Sequence, residues 1–153
     1  MLTFREVNRK HEDELLSKYF TIKEAFYLPR WKRLAEPKDG LSEAAFETVK
    51  KFLNEFLDPV REFMDSPMIV HCCYRPVEYN KVVGGAARSA HLAIDGHAAI
   101  DFHFKNFGCD YARSLLVDHL EAFGLRMEDK IGAGWIHLDS RPVPPGGKRF
   151  FLP

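Results

Sequence analysis

Cysteine is scarce: Cys72, Cys73 and Cys109 are the only three in 153 residues, and their spacing suits neither a disulfide framework nor a cysteine-based zinc knuckle. They read as free thiols, which fits a reducing compartment. No run approaches the roughly 18 apolar residues of a membrane span, and the opening MLTFREVNRK is too charged for the apolar segment of a signal peptide. An excess of one charge is also missing. The 22 Lys and Arg balance 22 Asp and Glu, which removes any bulk attraction for nucleic acid or anionic lipid. Internal repeats, low-complexity runs and long linkers are absent too, so residues 1–153 read as a single domain. What is present, 46% hydrophobic and 29% charged residues, suits a domain with a core to bury and excludes a disordered or collagen-like chain.

The local patterns place the elements. Thr21 with Glu24 three residues on predicts a capping box and a short helix running toward Pro29. Ser42 predicts the cap of a longer helix whose Val49, Phe52, Leu53, Phe56, Val60, Phe63 and Met64 share one apolar face. Pro59 is expected to kink or restart that helix, with Asp58 as a second cap. MIVHCCY reads as a buried strand, followed by a long Gly-rich loop RPVEYNKVVGGAARSAHLAIDG and a second strand AAIDFHF. A loop of that length in a small domain points to function. Asp110 is expected to cap a helix through YARSLLVDHLEAF that turns Leu116, Leu120 and Phe123 inward and stops at Gly124. GWIHLDS and KRFFL read as closing strands. Helices in the first half and strands with one helix in the second predict an α+β fold.

Four of the seven histidines, His91, His97, His103 and His137, fall in or beside strand-like runs that also carry Asp101 and Asp139. Two neutral imidazoles and one carboxylate make a common catalytic zinc site with a position left open for water. Satisfied histidines on half-exposed strands would produce the same spacing. Cys72 with a distant histidine is a further candidate nucleophile, but adjacent cysteines at a strand end point to opposite faces, so at least one is expected to be buried and inert.

Read in order, TIKEAF, LDPVREFM, CCYRPVEYNKVVGGAARSAHL, AAIDFHF and GWIHLD resemble the zinc D,D-peptidase family M15, in particular its small phage and bacterial cell-wall branch, over about residues 19–140. In that family a Ser-Gly-Tyr-Arg-like turn precedes an Asn and a Gly-Gly pair, then Ser-x-His-Leu, then Ala-x-Asp and a final histidine motif. The resemblance implies a hedgehog/D,D-peptidase-like fold, a small antiparallel sheet with helices packed on it. It implies Zn2+ on His91, Asp101 and His137, Arg75 binding the substrate carboxylate or carbonyl, and Ser89 near the metal or the substrate. Asn80, Gly84 and Gly85 are read as shaping the loop. Tyr74 and Trp135 are aromatic enough to line a peptide groove.

Two features depart from the family pattern. Nine residues, rather than six, separate His91 from Asp101, and strict spacing would land on Ala98. The extra residues are expected to bulge outward, but they bring in Asp95 and His97 as rival ligands, and alternation along a strand lets His97, Asp101 and His103 share a face. The glutamate that many members carry three residues before the last histidine is replaced by Gly134. Asp139 or His97 would then be the base, or Asp139 would support a ligand.

The resemblance thus implies a zinc-dependent peptidase hydrolysing peptidoglycan stem peptides or cross-bridges at D-Ala-containing bonds, of D,D-carboxypeptidase or endopeptidase type. A phage or prophage product reaching the wall through a partner, or a cytoplasmic protein, fits the charged start equally. The alternative is a non-catalytic wall-binding or virion structural module on the same fold.

Overall fold

Short helices with satisfied ends open the chain; the computed structural model describes residues 2–153. Helix α1 (Ile22–Phe26) starts at the capping box: Glu24 N–H donates to Thr21 Oγ1 at 3.2 Å and Thr21 N–H to the Glu24 carboxylate at 2.8 Å. Pro29 then separates β1 (Tyr27–Leu28) from β2 (Arg33–Leu34), an antiparallel pair. Helix α2 (Glu43–Phe52) is capped by Ser42, whose Oγ accepts from Ala45 N–H at 3.1 Å.

Pro59 does not restart this helix behind a side-chain cap of its own. A π-helical turn (Leu53–Leu57) carries α2 directly into α3 (Asp58–Met64). Proline has no amide to donate backwards, and a widened turn is one way a helix absorbs that loss. The wider turn moves the apolar face by one residue, so Leu57 is buried where Phe56 was expected, Phe56 is only partly covered and Phe63 is 47% exposed. With no break, no free amides need a cap. Asp58 instead accepts from Ser17 Oγ at 2.9 Å and Lys18 N–H at 3.0 Å, pinning the N-terminal segment to the helix.

The main sheet has the order β3-β4-β6-β5-β7, built from β3 (Met68–Cys72), β4 (Ala99–Phe104), β5 (Arg126–Glu128), β6 (Ile136–Asp139) and β7 (Phe150–Phe151). All pairings are antiparallel except β5 with β7. The fold is α+β, as expected. Alternation sorts the two faces: Ile100, Phe102, Phe104, Ile136 and Leu138 are at most 2% exposed on the core side. Asp101 and His137 are direct cross-strand partners on the other face.

The long loop is more structured than its composition indicates. It contains helix α4 (Val77–Val82), begun by Pro76, and a 3-10 turn (Ala90–Leu92). Asn80 closes it by donating from Nδ2 to Ala86 O at 2.9 Å. A Cβ at position 85 would stand 1.9 Å from Asn80 Oδ1, so only glycine fits beside that side chain. Helix α5 (Cys109–Leu116) begins one residue before Asp110, with Gly108 at the cap. Asp110 lies within the first turn and accepts from Arg113 Nη2 and Gly132 N–H. The predicted single helix is instead α5, a 3-10 turn (Val117–His119) and α6 (Leu120–Phe123), stopped by Gly124 at φ 70°. No described helix is long and apolar enough to cross a membrane.

Candidate metal centre

His91 is held in place from both sides before any ligand is considered. Ser89 Oγ accepts from its backbone N–H at 3.2 Å, and its carbonyl accepts from Arg75 N–H at 2.8 Å. Its Nδ1 lies 2.6 Å from Cys73 O. A carbonyl only accepts, so Nδ1 carries a proton, and Nε2 is the nitrogen that faces the cluster, 3.2 Å from Asp101 Oδ1. Strand register supplies the other two groups. His137 Nδ1 sits 2.9 Å from Asp101 Oδ1, and donor atoms of His91, Asp101 and His137 all lie within 4.8 Å of one another.

This is the ligand set read from the sequence, and its chemistry suits a divalent zinc ion. Two imidazoles and one carboxylate converge, and each imidazole makes a fixed hydrogen bond through its other nitrogen, the arrangement that orients metal-binding histidines. His137 Nε2 is 3.0 Å from Asp139 Oδ2, and Asp139 is itself gripped by Arg126 through Nε at 2.8 Å and Nη2 at 3.0 Å.

The inserted residues do loop out. Ala93, Asp95 and Gly96 all have positive φ, and Ile94, Asp95 and Gly96 are exposed. The chain returns where Ala98 exchanges bonds with Ser140, donating to its Oγ and accepting from its N–H, both at 3.1 Å. Asp101 is thereby brought to the cluster, while Asp95 is carried away from it. His97 lies just before β4 and is not a member of the cluster, and His103 faces His71 instead.

The charges are strongly coupled. Burial pushes the Asp101 carboxyl up, but the adjacent His91 and the bond from His137 outweigh this and hold it well below the usual carboxylate range. Burial pushes His137 down, yet its bonds to Asp101 and Asp139 raise it to about 9. Asp139 is pushed up by burial and held low overall by His137 and Arg126.

The remaining predicted residues divide. Arg75 reaches the cluster, with Nη2 3.3 Å from Asp101 Oδ2 and Nη1 3.5 Å from Asn80 Oδ1, and its buried Nε has no partner. These long contacts leave a planar donor fork available beside the cluster. Ser89 is engaged in capping the His91 turn. Tyr74 is 3% exposed and packs edge-on against Phe26 at 5.8 Å, and it also lines a cavity of about 420 Å³ shared with Leu92 and Asp95. Trp135 is half-buried beneath Lys130 Nζ, 4.7 Å from its ring. All three cysteines are free; burial raises the Cys72 thiol and raises Cys73 further, which removes the thiolate a cysteine nucleophile needs.

Two parts of the site were not legible in the sequence. Arg126 is on β5, a three-residue strand too short and polar to register as one, and its pairing opposite Asp139 is the only signal of its role. The Cys73 carbonyl is backbone and leaves no trace in residue type.

A search of curated proteins and of solved structures returned no match. The Peptidase M15 profile matches residues 30–139, more than half of the chain and all of the cluster. The chain belongs to the peptidase M15 family.

Proposed function

We propose that the protein is a zinc-dependent peptidase acting on bacterial cell-wall peptides, at D-Ala-containing bonds of a stem peptide or cross-bridge. The convergence of His91, Asp101 and His137 within 4.8 Å carries this reading. His91 would bind through Nε2, His137 through Nδ1 and Asp101 through its carboxylate. Zinc held by such a set lowers the pKa of water to about 7 and polarises a peptide carbonyl.

The chain's own residues do the rest. The Cys73 carbonyl fixes the His91 tautomer, and Arg126 fixes Asp139 so that Asp139 fixes His137. Asp139 is 1% exposed and occupied on both oxygens, so it serves as a support for the ligand and not as a base. Arg75, whose Nη1 and Nη2 make only long contacts to Asn80 and Asp101, takes the substrate carboxylate or the charge developing on the scissile oxygen.

The test is zinc content together with release of new amines from purified peptidoglycan, for the parent and for Asp101→Ala and His137→Ala. About one zinc per chain and amine release in the parent, both lost in the variants, is expected. Unchanged hydrolysis by His137→Ala would overturn the reading.

One observation favours the wall-binding alternative: with Gly134 at the glutamate position and both oxygens of Asp139 occupied, neither position that the sequence offers supplies a free carboxylate, and Glu128, close enough to His137 to raise its pKa, is the one left beside the cluster. Gly134→Glu separates the two readings, since no atom lies within 4 Å of the added Cβ. A parent that binds wall material without cleaving it, and a variant that cleaves, would identify a module that has kept the metal site and lost the base.

A further inference from the structure

The open face of the sheet carries a second pair of imidazoles beyond the cluster. In the β3–β4 ladder Ile69 pairs with His103, Val70 with Phe102 and Cys72 with Asp101, so His71 is the extra residue of a bulge. Bulges re-aim side chains, and here His71 comes to lie diagonally across from His103, within reach on the same face. His71 Nε2 and His103 Nδ1 are 2.6 Å apart, with ring centroids at 4.9 Å and planes inclined by 63°. Among the described residues neither imidazole has another hydrogen-bond partner, and His71 is exposed while His103 is half-buried.

We propose that His71 and His103 form a second metal site, for a nitrogen-preferring late first-row divalent ion such as copper(II) or zinc(II). Three features support it. Two nitrogens bound to one ion at about 2.0 Å sit roughly 3 Å apart, so the pair needs to open by only a few tenths of an ångström, which an exposed side chain does by small torsional changes. Both donors stand on paired strands, which hold them more rigidly than loops would. An imidazole–imidazole hydrogen bond open to water adds little to stability, so folding alone does not account for the pair. The ion preference follows from ligand type, since imidazole suits copper, nickel and zinc and, of these, copper(II) binds most tightly.

The second site differs in kind from the first. It has two protein ligands instead of three, and its remaining coordination positions face solvent. It therefore fills after the first. His103 and Asp101 are two residues apart on β4, placing the sites roughly 7 Å from one another along the strand. This proposal does not depend on whether the first site catalyses anything.

Copper(II) titration of the whole protein, followed by calorimetry and electron paramagnetic resonance, tests it. The parent is expected to take up ions in two steps, with a weaker second step that His71→Gln/His103→Gln loses while keeping the first. His91→Ala/His137→Ala is expected to keep the weaker step, with a signal from two nitrogen ligands that disappears when His71 and His103 are also replaced. A single step in the parent, or a weaker step that persists in His71→Gln/His103→Gln, overturns the proposal. Because both histidines lie outside the core, circular dichroism of the double variant should match the parent, so loss of the step reports on binding.

Discussion

Arg126 shows how much of a metal site can depend on a residue that touches no metal ligand. Its guanidinium makes a two-pronged contact with Asp139, which is 1% exposed and in turn bonds His137. Breaking a buried pair costs about 3 kcal/mol or more when the remaining charge has no other partner; Asp139 keeps His137 and the Arg141 N–H, so the loss here is about 1–3 kcal/mol. Arg126→Ala should therefore lower the denaturant-unfolding free energy by about that amount and weaken zinc binding by about 10- to 100-fold. Arg126→Lys keeps the charge but not the fork, and should recover stability better than affinity. The pH dependence of metal uptake also belongs to this scale. In the metal-free protein His137 is protonated up to about pH 9, because Asp101 and Asp139 both accept from it. The stability this provides is full below the ordinary histidine pKa of about 6.5 and is lost as pH rises through 9. A metal must displace the Nδ1 proton, so apparent zinc affinity should rise about tenfold per pH unit between 7 and 9 and then level off. Competition titrations against a chelator at fixed pH values would show it; a flat profile would mean that His137 is not a ligand. The His91, Asp101 and His137 cluster was legible in the sequence because side-chain chemistry and order both mark it. Arg126 was not, because its function comes from a strand pairing that no local pattern reveals.

At the scale of elements, the insertion between His91 and Asp101 is the instructive case. An added stretch is tolerated when it leaves and rejoins the fold at fixed points, since loop closure costs grow slowly with length. Here the fixed points are the Ser89-capped turn and the Ala98–Ser140 bonds, and between them the chain uses three left-handed residues to turn back on itself. The sequence indicated a bulge but left Asp95 and Asp101 as rivals; strand register opposite His137 decides for Asp101. Asp95→Ala should thus leave metal stoichiometry unchanged and move stability by no more than about 0.5 kcal/mol, whereas Asp101→Ala should abolish zinc uptake. Elemental analysis with thermal melts reads both. Other elements stayed hidden for definable reasons. Helix α4 lies in a stretch whose proline and glycines read as loop, although that proline begins the helix. The π turn before Pro59 depends on backbone geometry alone, and it is what exchanges Leu57 for Phe56 in the core.

For the whole molecule, the sheet works as a partition, with aliphatic and aromatic side chains on one face and the ionisable constellation on the other. The family match ends at residue 139, yet the site does not. The chain continues through Pro144 and two glycines and returns as β7, adding its short strand parallel to β5. This brings Phe151 under Arg126, whose guanidinium carbon is 4.3 Å from the ring centroid, and places the ring edge-on to His137 at 6.4 Å. The closing segment thus covers the residues that hold His137. That the sequence ended in a strand was readable from KRFFL; that the strand would complete the site was not, because parallel pairing with an unrecognised β5 decides where it lands. Phe151→Ala removes a cation–π contact of about 0.5–1 kcal/mol and admits water beside the Arg126–Asp139 pair, which weakens that pair by raising the local dielectric. Urea unfolding should show a loss of about 1–2 kcal/mol, the cation–π contact plus buried ring area. Zinc affinity should fall in the same direction as in Arg126→Ala but by less. Combining Phe151→Ala with Arg126→Ala should then cost less than the sum of the two, because the ring acts on the metal site through the arginine. Full additivity in the double variant would show instead that Phe151 supports the fold independently of the site.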